Sequence, residues 1–151
     1  MSTADNATME FFELGDKTAL VAADPETAEV VRSSLRDLGF KSHSADSAEI
    51  AIERVRYTRY DCIFIHENFA GSSVWSNTVL HYLAALPMAQ RRYTFVCLIG
   101  GSFKTMDAMQ AFAQSVHLVV NPADLPALTA ILRRSLAEFD QLYRVYKEAL
   151  Q

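Results

Sequence analysis

The sequence predicts one α/β domain in which a five-stranded, wholly parallel sheet is doubly wound by helices. Two observations carry this expectation. Five short strand-like runs recur along the chain, at Thr18–Ala23, Lys41–Ala45, Cys62–His66, Tyr93–Ile99 and Leu118–Val120, and all but the second are apolar on both faces, as strands covered by helices on either side must be. Segments of helical spacing and short loops separate the runs, an alternation that forces parallel pairing through right-handed crossovers.

The elements follow in order. Met1–Thr8 reads as a polar leader and Met9–Leu14 as a short arm that docks on the body. After the first strand, Asp24 is an N-cap with Pro25 at the first helical position, and Ala28, Val31, Leu35 and Leu38 recur on one helical face until Gly39 ends it. Lys41–Ala45 is more polar and is expected at a sheet edge. Asp46 or Ser47 caps a second helix carrying Ala48, Ala51, Ile52 and Val55. A third helix is expected over Val74–Leu86, closed by Pro87; a fourth around Met106, Met109 and Ala113; and a long last helix opened by Leu125. A second strand at the edge fits the flavodoxin-like strand order 2-1-3-4-5.

Bulk properties narrow the function classes. Of 151 residues, 50% are hydrophobic, which supplies a full core for one domain. The net charge of −4 argues against a dedicated nucleic-acid surface, although a local basic stripe is compatible with that total. No run approaches the ~20 apolar residues that span a bilayer, and Met1–Met9 lacks the features of a secretory signal. These readings predict a cytoplasmic protein with no membrane or nucleic-acid partner. Cys62 and Cys97 lie far apart in apolar runs, without a Cys-x-x-Cys or Cys/His cluster, and read as buried reduced thiols rather than zinc ligands.

In a sheet of this order, ligands bind at the carboxyl ends of the strands, beside the switch point between the first and third. The residues there are Ala22, Ala23 and Asp24, then His66 and Glu67, then Ile99 and Gly100, then Asn121 and Pro122. The run Leu20-Val21-Ala22-Ala23-Asp24-Pro25, the strand Tyr60-Asp61-Cys62-Ile63-Phe64-Ile65-His66 and the segment Val119-Val120-Asn121-Pro122 together resemble the response-regulator receiver domain, over roughly Lys17 to Leu136. The resemblance implies a protein-signalling module phosphorylated on an aspartate. The functional positions nevertheless depart from it one by one. The paired acids that hold magnesium align with Ala22 and Ala23, and the acceptor aspartate with His66. The switch hydroxyl aligns with Ile99, the aromatic switch residue with Leu118 and the phosphate-steadying lysine with Asn121. Magnesium needs hard oxygen ligands, and phosphoryl transfer needs cations on the equatorial oxygens. The expectation is therefore a degenerate, non-phosphorylatable receiver, with no catalytic residue, no metal site and no cofactor.

An alternative reading makes Asp24, His66 and Glu67 a ligand- or metal-sensing pocket, since imidazole and carboxylates suit transition metals. His66 is also a candidate pH sensor, with its pKa raised by the two carboxylates. No GxGxxG, Walker or GxSxG sequence is present. The last helix is the remaining informative feature. A receiver needs about four turns there, whereas Ala127–Gln151 contains no Gly or Pro and would extend about 35 Å. Its apolar rows include Leu132, Phe139, Leu142, Tyr143, Tyr146 and Leu150, continuing past the expected reach of the sheet, as a helix seeking a partner would. The organisation expected is an N-terminal arm over 1–16, a receiver-like domain over 17–136 and a helical extension over 137–151. The function expected is a protein-interaction or dimerisation element, most simply a homodimer.

Overall fold

The computed structural model describes residues 11–73 and 76–150, and only the backbone of Tyr143, Tyr146, Lys147, Glu148 and Leu150. Five parallel strands stand in the order 2-1-3-4-5: β1 (Lys17–Ala22), β2 (Phe40–Ser44), β3 (Cys62–His66), β4 (Phe95–Ile99) and β5 (Leu118–Val120). The flavodoxin-like expectation holds, with the polar β2 at one edge. Asp61 latches the sheet at its entry: its carboxylate accepts from the Thr18 N–H at 2.9 Å, and its own N–H donates to the Thr18 carbonyl.

The helices are α1 (Pro25–Asp37), α2 (Ala48–Tyr57), α3 (Thr78–Ala84), α4 (Met88–Arg91), α5 (Ala108–Ala113) and α6 (Leu128–Leu150). The starts of α1, α2, α3 and α5 are fixed by side-chain caps. Asp24 and Ser47 cap α1 and α2 by accepting from the N–H groups of Thr27 and Ile50. Gly39 follows α1 at φ +84, a left-handed position that suits a residue without a Cβ.

The expected third helix is corrected. Helix α3 starts at Thr78, because Asn77 caps it through a 3.0 Å bond from the Leu80 N–H; Val74 and Trp75 lie outside the described residues. Leu86, just before Pro87, is disfavoured in helical geometry, and the chain restarts as the unpredicted α4. Helix α5 opens at Ala108, not Met106, because Met106 sits at φ 66 and Asp107 is the cap. The last helix opens at Leu128, not Leu125, because Pro122–Ala127 forms a 3-10 turn containing Pro126.

The alternation of side chains along the strands builds two cores. Ala19, Val21, Phe64, Cys97, Ile99 and Val120 face α1 and α6, meeting Val31, Leu35, Leu128 and Leu132. Leu20, Ile63, Ile65, Leu98 and Val119 face the other helices, meeting Ala51, Val79, Leu83 and Ala111. Cys62 and Cys97 are free and buried, and burial pushes both thiols well above the ordinary range.

The arm does dock, as expected for its described part. Phe12 stacks on His43 with ring centroids 4.0 Å apart and meets Tyr60 edge-on, while Tyr60 Oη lies 2.8 Å from His43 Nδ1. Residues 1–10 lie outside the described part.

Candidate functional site

At the carboxyl ends of the strands, the register sets His66 beside Ile99, and Ile99 beside Val120. Ala22, Ala23 and Ile99 are buried and offer no polar side-chain atom. Asp24 is committed to its cap; the Thr27 side chain holds its carboxyl below the usual carboxylate range, and nearby His66 pulls the same way. The partly buried His66 accepts the Asn68 N–H at its Nδ1, 3.1 Å away.

Glu67 is buried, because its N–H continues the ladder to the Ile99 carbonyl and carries the side chain inward. Its Oε1 accepts from the Ser102 hydroxyl at 2.7 Å and its Oε2 from the Ser102 N–H at 3.0 Å. The carboxylate lies so tightly over the β4 exit that a Cβ on Gly100 would stand 1.7 Å from Oε2. Asp24, His66 and Glu67 therefore do not converge as a ligand set, since Glu67 is bound by Ser102 and Asp24 by its cap. Among the described residues, no group of three or more His, Cys, Asp or Glu is placed to hold a metal ion.

Asn121 closes the same mouth from β5. Its Oδ1 accepts from the Ala123 N–H and its Nδ2 donates to the Phe103 carbonyl at 2.8 Å. Thr105 adds a second tie, accepting the Asn121 N–H and donating to Asp124. Asn77, buried beneath, donates to the carbonyls of His66 and Glu67 while capping α3. Sequence reading missed the roles of Thr105 and Asn77 and the bond from Ser102 to Glu67. Only Asn77 carried a signal, as an Asn just before a helical run.

The long helix also differs from expectation. Leu132 is fully buried in the core of its own domain and is closed to any partner. Phe139, expected beyond the sheet, packs edge-on against Phe95 at 5.5 Å and His117 at 4.9 Å, because β4 and β5 reach far enough to cover it. Helix α6 runs unbroken through position 136, and its large exposed apolar side chains among the described residues are Leu142 and Val145. The side chains of Tyr143, Tyr146 and Leu150 lie outside the description. No described helix is long and apolar enough to cross a membrane.

This architecture is the receiver fold. Solved structures similar to it include NtrX from Brucella abortus, with a TM-score of 0.67 and 17% identity over 87% of this chain and 29% of that one. A response regulator receiver domain from Methylobacillus flagellatus gives 0.58 and 24% over 80% of this chain and 98% of that one. A response regulator from Thermotoga maritima gives 0.61 and 15% over 81% and 98%. No family model and no curated protein matches the chain by sequence.

Proposed function

We propose that the chain is a pseudo-receiver, a non-phosphorylatable receiver-like module that acts by protein contact in two-component-type signal transduction, without catalysing a reaction. The observation that carries this reading is the lodging of Glu67 on Ser102. A carboxylate already fills the mouth where an incoming phosphoryl group would need donors, and Ala22 and Ala23 leave magnesium without side-chain oxygens. The ties from Asn121 and Thr105 hold the β4 exit loop in one arrangement. On this reading Ala22, Ala23, Asp24, His66, Ile99 and Asn121 form a vestigial pocket. The arm and the far end of α6 are accessories to the receiver-like body, and the exposed Leu142 and Val145 of α6 are the contact surface for a second copy. The protein works in the cytoplasm.

The test is incubation with acetyl phosphate and magnesium, followed by intact-mass analysis. The mass should stay unchanged, and beryllofluoride should leave the amide resonances of His66, Ser102 and Asn121 in place. One added phosphate on a residue of this mouth would overturn the reading.

A further inference from the structure

A second concave site lies at the opposite end of the sheet, where the strands enter. Helix α3 ends at Ala84 and Pro87 turns the chain away into α4, so the segment carrying Leu86 and Gln90 stands off from the end of α2. The gap is a cavity of about 480 Å³, floored by Ile63, Leu83 and Val96. That volume falls within the roughly 300–1,000 Å³ of small-molecule sites.

Its charge is opposite to that of the whole molecule. The chain carries 14 Lys and Arg against 18 Asp and Glu, yet Arg56, Arg59 and Arg91 line this cavity and no carboxylate does. None of the ion pairs formed among the described residues involves any of the three. Arg59 lies over the Tyr93 ring at 5.2 Å, and Arg91 reaches the Ser115 carbonyl at 3.4 Å, contacts that orient both guanidiniums without neutralising them. Tyr57, 76% exposed, also lines the cavity and offers a ring face.

We propose that this cavity binds a small organic phosphate bearing a planar ring, of the nucleotide or aryl phosphate class. Guanidiniums present forked donors that match a phosphate bidentately. The apolar floor and the two tyrosines give the ring a surface to stack on, and a neutral ligand or a bare anion would satisfy only half of the site. The proposal is independent of the vestigial pocket, because Ile63 and Val96 sit at the entry ends of β3 and β4 while His66 and Ile99 sit at the exits.

The experiment is an amide-resonance titration with phenyl phosphate, alongside inorganic phosphate and phenol. Phenyl phosphate should shift Tyr57, Arg59, Gln90 and Tyr93 at millimolar concentration or below, with each control binding at least about tenfold more weakly. Arg59→Gln and Arg91→Gln should each weaken phenyl phosphate by about tenfold with the melting temperature unchanged, the loss expected of one charge-assisted contact. Equal binding of phenol, undiminished binding in both variants, or shifts spread outside the cavity would each overturn the proposal.

Discussion

The Ser102 hydroxyl donates a 2.7 Å hydrogen bond to Glu67 Oε1, joining the residue after β3 to the loop after β4. The bond spans 35 positions of sequence and closes the mouth of the sheet with groups that belong to the chain itself.

The first prediction uses the close approach of Glu67 to Gly100. Gly100→Ala places a methyl 1.7 Å from Oε2, so the carboxylate must leave its buried seat. The substitution should cost about 2–3 kcal/mol, the range for stranding a buried polar group. In a Glu67→Ala background the same change should cost less than about 1 kcal/mol, since the two residues are in contact and their effects do not add. Urea unfolding of the four proteins measures the cycle, and equal costs in both backgrounds would falsify the arrangement.

Asn77 supplies the second. It is 1% exposed, its Oδ1 caps α3 and its Nδ2 holds the last carbonyls of β3. Asn77→Ala should lose about 2–3 kcal/mol, a cap plus a buried donor. Asn77→Asp should lose at least as much, because it keeps the cap but turns a buried acceptor onto the His66 and Glu67 carbonyls. Thermal melts of both variants check the order; a wild-type melting temperature for Asn77→Ala would show that the side chain holds nothing.

The third concerns acid. His117 Nδ1 accepts the Val96 N–H at 3.0 Å, and burial against Phe95 and Phe139, with Arg91 adding, lowers its pKa to about 4 from 6.5. The unfolded chain therefore binds the proton first, so stability falls as pH drops from about 6.5 towards 4. The stability gap between wild type and His117→Asn should shrink through that window. A gap that stays constant with pH sinks the account.

The fourth separates the two halves of α6. Leu142 and Val145 are 70% and 58% exposed, so Leu142→Glu and Val145→Glu should leave the fold intact and dissociate a dimer in sedimentation. Phe139→Glu should instead destabilise the monomer by about 1–2 kcal/mol, because it would lose the ring's contacts and set a charge in a half-buried place beside Phe95 and His117. A wild-type protein that sediments as a monomer at tens of micromolar would remove the self-association.

The strand order was legible because each apolar run declared itself and the polar Lys41–Ser44 stretch marked the edge. Caps were legible because they act within four residues: Asp24 outright, and the next as one of two neighbours, Asp46 or Ser47, of which Ser47 is the cap. The occupied mouth was not, because the contact from Glu67 to Ser102 depends on where two loops meet in space, and neither residue belongs to a local motif. The reach of the sheet under α6 was misjudged for a similar reason. Apolar spacing says that Phe139 needs cover, but the cover comes from Phe95 and His117, 44 and 22 positions earlier.

The docked arm has one more consequence, for how copies of the chain can meet. An open edge strand is a template for another chain, and β2 is such an edge. Here Lys41 is pinned to Asp16 at 3.0 Å and to the Phe11 carbonyl, Phe12 roofs His43, and Arg32 already donates to the Ser42 carbonyl and hydroxyl. Growth of the sheet by strand addition is thereby blunted on that side. At the other side β5 offers a border only three residues long. Runaway edge-to-edge aggregation is disfavoured at both margins.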